Sequence, residues 1–346
     1  MEKRYIYVGA SVCLLVIMAS ITVLLLFTLV WTHQDAVGSK LIIDHDGGAD
    51  DAMAIFIALI HEKYFQGSQV VAITTTFGNV DESQAFINTQ KILHIARRKD
   101  IPIYRGSTTP IVDGIETDYY YGTDGLGDCD TDYEPIEPQP DHAVKALIEY
   151  SKKYDGNLTV VAIGSMTNIA LAIKIDPQFL SRLSMVYVGA GFIQSPDFTD
   201  AEFNAAMDPE AYYIVANHGS PDHVTTVPFS QVYTTMNLTR EWRASILGSI
   251  PTKTMEALNC FERVSMSGKS GWTQLDPAVM ALALNSSIIE EVRYSNNSII
   301  LCGDDRGINT NGLTSPSEAN VQLIYSGSRE YYQEFLYNTF AAELTN

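Results

Sequence analysis

An α/β fold is predicted: a single domain with a mostly parallel central sheet flanked by helices, preceded by an N-terminal apolar segment. Two observations predict it. Short apolar runs rich in Val and Ile alternate with stretches of helical periodicity, the pattern of repeated strand–helix units. Polar clusters, "DHDGGADD", "TTTFGN" and "GSMTN", fall where those runs end, and ligands of open α/β sheets sit beyond the carboxyl ends of the strands. No repeat or low-complexity tract interrupts the body, so one domain is expected over residues 40–346.

The elements follow in order. Residues 1–4 form a short tail carrying Lys3 and Arg4, and residues 5–31 run for 27 positions without a charge, long enough to span a bilayer. A cleavable signal has a shorter apolar stretch of roughly 7–15 residues and a small-x-small cleavage site, so a signal anchor is the reading, with a secreted product as the alternative. The positive-inside bias places the tail in the cytosol and the body outside or in a lumen, as a type II protein of the plasma membrane or secretory pathway. Residues 32–39 are a linker. "KLIID" then reads as a strand and a helix starts near Ala49; "QVVAITTTFGN" is a strand, "DESQAFINTQKILHIARR" a helix and "IPIYRG" a strand. A Gly/Tyr/Asp-rich loop covers about residues 106–140, and "HAVKALIEYSKKY", "LTVVAIG", "MTNIALAIK" and "LSMVYVGAG" continue as helix, strand, helix and strand.

Charge narrows the partners. Without Glu2, Lys3 and Arg4 the body keeps 20 basic and 40 acidic residues, a balance of −20. Nucleic acid is therefore excluded as a partner, since phosphate binding needs a concentrated basic face. Four N-x-S/T sites, at Asn157, Asn237, Asn285 and Asn296, agree with a secretory route. Cys129, Cys260 and Cys302 allow one intrachain disulfide with a thiol left over, and their spacing fits no metal site. A homo-oligomer stays open.

Asp44, Asp46, Asp50 and Asp51 crowd eight residues between an apolar run and a helix. Singly they could end a strand or complement a helix dipole, at a few tenths of a kcal/mol each. Together they repel unless a cation or a proton shares the site. Oxygen donors without Cys or paired His select Ca²⁺ or Mg²⁺ over zinc, and Ile55 where an EF-hand needs Glu rules that loop out.

"DHDGGADDAMA" resembles the D-x-D-P-G-x-D-D-A signature of the nucleoside hydrolases, the calcium-dependent N-ribohydrolases of the inosine–uridine-preferring group. Further motifs follow in the family's order: "TTTFGN", "YGTDGLGD", "AIGSMTNIALAI", "AEFNAAMDPEA" and "QLDPAVMALAL", so the resemblance covers about residues 40–345. It implies that Asp46 and Asp51 ligate calcium together with the Thr167 carbonyl and Asp276, and that Asp46 is the general base on a water held by the metal. It further implies that Asp50, Asn79, Glu202 and Asn204 hold the ribose hydroxyls, with Asp276 also at the substrate and Asp44 in support. The implied reaction is hydrolysis of ribonucleosides to ribose and free base.

Bland readings stand beside these. Asp276-Pro277 and Asp208-Pro209 both look like helix caps followed by proline, and Asp208 is read as one. Thr167-Asn168 also suits a cap. Glu202 and Asn204, flanking Phe203, suit an extended segment that points both groups one way.

The sequence departs from the family at four places. Gly47 replaces a usual proline and is expected to loosen the loop. Leu275 stands where many members carry the His that protonates the leaving base, Tyr121 stands where His is common, and Pro196 replaces an asparagine. Tyr121 and Trp272 are candidate base contacts by stacking. Lacking an imidazole at 275, the site is expected to favour purine nucleosides slightly, because N7 accepts a proton and the larger ring stacks better. A catalytically silent nucleoside- or calcium-binding ectodomain is the rival from another class; a D-x-D phosphatase lacks the accompanying lysine and phosphate loop.

Overall fold

Strand β1, Lys40–His45, shows why the chain folds around it. Its side chains alternate between faces, so Leu41 and Ile43 enter one apolar cluster and Ile42 the other. The structure is a computed structural model that describes residues 38–267 and 271–345. The expected tail, the span over residues 5–31 and most of the linker lie outside the described residues. Among the described residues no helix is long and apolar enough to cross a membrane.

Helix α1, Ala49–Phe65, is buried continuously from Ala49 to Ile60. Each fully buried Ile or Phe in such a helix contributes about 1.5–3 kcal/mol, and this burial anchors the first turn that carries Asp50 and Asp51. There follow β2 (Gln69–Thr75), α2 (Glu82–Ala96), β3 (Ile103–Tyr104), α3 (Ala143–Lys153), β4 (Leu158–Ala162), α4 (Thr167–Ile175) and β5 (Met185–Gly189). All of these were expected, and the strands are shorter than the expected runs, β3 most of all: it keeps only two residues of "IPIYRG", because Pro102 lacks a ladder donor.

Beyond residue 191, where no elements were assigned, come α5 (Phe203–Met207), α6 (Pro209–His218), β6 (Val224–Val227), β7 (Leu238–Thr239), α7 (Arg240–Ser245) and α8 (Lys253–Phe261). The chain continues with β8 (Gly271–Trp272), α9 (Leu275–Leu284), β9 (Ile289–Ile299), β10 (Asn309–Leu313), β11 (Val321–Gly327) and α10 (Arg329–Ala341).

The nine-stranded sheet has the order β10-β9-β11-β6-β5-β4-β1-β2-β3. Strands from β3 across to β11 run parallel, while β9 pairs antiparallel with both β11 and β10. From β1 the chain moves outward through β2 and β3, then crosses back to β4 on the other side of β1. That reversal is a topological switch point, and it opens a crevice at the carboxyl ends of β1 and β4. Cys129 and Cys260 form the disulfide, tying the long loop to α8, and Cys302 is an exposed thiol.

Candidate active site

The acidic cluster sits in that crevice. Asp44 and His45 end β1, Asp46 begins the turn, and Asp50 and Asp51 occupy the first turn of α1. Asp276 enters from the first turn of α9, so two helix N-termini, which favour negative charge, converge on one point. Carboxylate oxygens of Asp50, Asp51 and Asp276 lie within 4.8 Å of one another, all buried.

Glycine makes the close approach possible. A Cβ on Gly78 would lie 1.8 Å from Asp46 Oδ2, and one on Gly164 would lie 2.9 Å from Asp46 Cβ. Gly47 does not loosen the loop as expected. It is held at φ +86°, where a Cβ would meet Ala85 Cα at 2.7 Å, and a proline ring cannot adopt that φ. Asn88 Nδ2 donates to the Gly47 carbonyl at 2.7 Å and fixes the turn.

Hydrogen bonds orient each carboxylate. Asn79 donates to Asp46 twice, from its backbone N–H at 3.0 Å and from Nδ2 at 2.7 Å. Asp51 accepts from the Gly48 N–H at 2.6 Å and from the Asp46 N–H at 3.2 Å. Asp44 accepts from Thr74 at 2.5 Å and from Asn168 Nδ2 at 2.8 Å. His45 Nδ1 accepts from the Gly47 N–H at 3.2 Å, so Nε2 carries the proton toward Thr89 at 2.8 Å. Burial lowers that imidazole to about 4, so His45 is neutral and its 3.6 Å approach to Asp51 is not an ion pair.

The carboxyls are pushed the other way. Burial raises Asp44 to about 6. Asp46 stands well above the usual carboxylate range through burial and then the charge of Asp51. Asp50 and Asp51, a tightly linked pair, are raised by burial. Asp276 is raised well above by burial and then by Asp50, Asp51 and Asp46. Glu202 is raised by burial, against the Gly191 and Ala205 N–H groups that bond it at 2.8 and 3.0 Å. Without a cation these groups share protons.

The site fits a hard divalent cation. Its donors are oxygens, and Asp276 Oδ2 is buried with no hydrogen-bond partner among the described residues. Asp276 is not the helix cap that its Asp-Pro context allowed, since α9 starts at Leu275 with Gln274 before it. Asp208 does cap α6, at 3.0 Å from the Ala211 N–H, and also accepts from the Thr167 hydroxyl at 2.7 Å, an orienting contact that sequence did not show.

A cavity of about 280 Å³ opens onto Asp50, Asn79, Glu202, Asn204 and Asp276, and Tyr121, Gln274 and Leu275 also line it. Asp46, Asp51 and Thr167 are buried and do not line it. Glu202 and Asn204 reach it differently from the expected extended segment. Glu202 caps α5 and Asn204 lies in its first turn, because the Glu202 carboxylate satisfies the free N–H of Ala205. Asn204 Nδ2 is held by the Gly189 carbonyl at 2.9 Å.

Tyr121 lines the cavity as expected, but Trp272 does not. Its Nε1 donates to Glu262 at 2.8 Å, and the ring lines a neighbouring cavity of about 680 Å³ that contains no carboxylate. Of the four glycosylation candidates Asn296 is exposed and Asn157, Asn237 and Asn285 are half-buried.

Residues 41–333 match the inosine-uridine preferring nucleoside hydrolase family. The chain is 37% identical over 186 residues to a probable uridine nucleosidase 2 of Arabidopsis thaliana, covering 52% of this chain and 56% of that protein. It is 33% identical over 184 residues to an inosine-uridine preferring nucleoside hydrolase of Leishmania major, covering 51% and 57%. It thus spans little more than half the length of the curated relatives it matches. A solved plant nucleoside hydrolase superposes with a TM-score of 0.78 at 26% identity, over 88% of this chain and 99% of that one. With the acidic switch-point site and the match along most of its length, the chain belongs to the inosine-uridine preferring nucleoside hydrolase family.

Proposed function

We propose that the chain is a calcium-dependent nucleoside N-ribohydrolase that converts ribonucleosides and water to ribose and free base. The observation that carries this reading is the buried triad Asp50, Asp51 and Asp276, of which Asp50 and Asp276 line a cavity whose wall also holds Asn79, Glu202 and Asn204. Asp51 and Asp276, with Asp46 and the Thr167 carbonyl, would hold the ion. When bound, calcium supplies a Lewis acid for a water and for the ribose diol.

The chain's own groups do the rest. Asp46, fixed by two hydrogen bonds from Asn79, takes a proton from the attacking water. Asp50, Glu202 and Asn204 face the cavity and orient the sugar hydroxyls. As the glycosidic C–N bond breaks, the electron pair leaves with the base nitrogen, and the carboxylates stabilise the oxocarbenium character left on the sugar.

With Trp272 off the cavity, the stacking half of the purine lean rests on Tyr121, which lines it. N7 as a proton acceptor adds to that lean, and the uridine nucleosidase relative weighs toward pyrimidines. Residues 5–31 are proposed to anchor the protein in the secretory pathway, which the Cys129–Cys260 disulfide supports through its need for an oxidising compartment.

A silent nucleoside-binding ectodomain is the second reading, favoured by the loss of both imidazoles at 121 and 275. Product analysis with inosine and uridine separates the two. Equimolar ribose and base, formed without inorganic phosphate and only with calcium, supports the hydrolase. Saturable nucleoside binding with no product under those conditions would establish the binder.

A further inference from the structure

Two residues of the cavity wall, Tyr121 and Gln274, belong to a buried hydrogen-bonded chain. Tyr121 Oη donates to Gln274 Oε1 at 2.6 Å. Gln274 Nε2 faces Glu262 Oε1 at 3.3 Å, and the Trp272 Nε1–H donates to the same oxygen at 2.8 Å. A carboxylate only accepts, so Glu262 decides which way the Gln274 amide turns, and Oε1 is left for the tyrosine. The other oxygen of Glu262 pairs with Arg243, and both side chains are 2% exposed.

Arg243 is itself fixed. It donates to Asn259 Oδ1 at 2.8 Å, and its guanidinium lies 5.9 Å from the Trp272 ring centre. A buried ion pair that does not line the cavity is therefore joined to it through two side chains that do, Gln274 and Tyr121. Burying such a pair is costly, and a hydrophobic replacement is often more stable, so its presence calls for another use.

We infer that Glu262, clamped by Arg243, is a positioning residue for the leaving-group half of the site, acting through Gln274 to aim Tyr121. This rests on the nucleoside hydrolase reading above. Tyr121 and Gln274 are the groups that contact the departing base, in the place of the two absent imidazoles. Gln274 keeps one Nε2 proton for a base acceptor, and Tyr121 Oη keeps lone pairs for a base N–H.

The test compares a nucleoside with p-nitrophenyl β-D-riboside, whose leaving group departs without help but whose sugar uses the same carboxylates. Tyr121→Phe, Gln274→Met and Glu262→Gln should each lower kcat/KM for uridine and inosine tenfold or more, about 1.4 kcal/mol. The activated riboside should stay within about threefold of wild type, with calcium affinity unchanged. The Glu262→Gln, Tyr121→Phe double variant should be no worse than the worse single, since both act along one chain.

Should Glu262→Gln fail to fold, Glu262→Asp keeps the charge opposite Arg243 while drawing back from Gln274, and the same selective loss is expected. Equal losses on both substrates, or nucleoside turnover unchanged by the Glu262 variants, would overturn the inference while leaving the hydrolase reading intact. A wild type that cleaves neither substrate would remove both.

Discussion

Asp276→Asn should make the metal-free protein more stable and its response to calcium weaker. The carboxylate oxygens of Asp50, Asp51 and Asp276 are within 4.8 Å of each other. At that separation, and an effective dielectric of about 20, two full charges repel by roughly 3.5 kcal/mol. The substitution removes two of the three such pairs and gives the orphaned Oδ2 position a donor toward its acidic neighbours. Protons bound by the raised carboxyls already relieve much of the repulsion at neutral pH, leaving a gain on the order of 2 kcal/mol, or a melting rise of a few degrees. Calcium reverses the order, because an ion bound only by the native state stabilises it by mass action and the variant has lost a ligand. Melting curves of both proteins, with chelator and with excess calcium, read the two effects together. A chelated variant melting below the chelated wild type, or calcium shifts of equal size, would refute the placement of Asp276 at the cation.

Asp46→Asn should lower kcat by about 10²–10⁴ while leaving melting within a few degrees, as removal of a general base does; near wild-type turnover would sink its role. In the metal-free protein, folded carboxyl pKa values above their unfolded values mean that the native state binds more protons. Stability is then fully present below the unfolded value near 3.8 and falls as pH rises through about 6 and beyond. His45, lowered to about 4, works in the opposite sense between about 4 and 6.5, but as one group against several. A metal-free melting temperature that climbs from weakly acidic to neutral pH would contradict this. Leu275→His should raise turnover of nucleosides more than that of an activated riboside, and equal effects would show that position 275 does not face the leaving base. In a secretory host, glycosidase treatment should lower the mass and the protein should resist alkaline extraction; recovery in the medium with an N-terminus near residue 32 would show a cleaved signal.

The first five strands of the sheet and the acidic core of the site were legible because their determinants are local. Strand β1 and helix α1 are contiguous, so the spacing of Asp44, Asp46, Asp50 and Asp51 already placed them at one strand-to-helix turn. Asp276 was reached through family resemblance rather than pattern, and the structure then removed its reading as a cap. What sequence hid depends on residues far apart in the chain. Asn79 as the holder of Asp46, Asp208 on Thr167, and the Arg243 to Tyr121 chain each join segments separated by tens of positions. Trp272 misled because an aromatic near a motif carries no information about which way its ring faces. Gly47 misled because a glycine reads as slack unless its φ is known.

The central claim is that one divalent cation, held by buried carboxylates at the switch point, enables glycosidic hydrolysis. Ribose release from uridine and inosine, followed while a chelated preparation is titrated with calcium and bound metal is measured in the same samples, tests it most directly. The rate should rise in proportion to occupancy and level off at one ion per chain. Full turnover in the metal-free preparation, or none with the ion bound, would contradict the account.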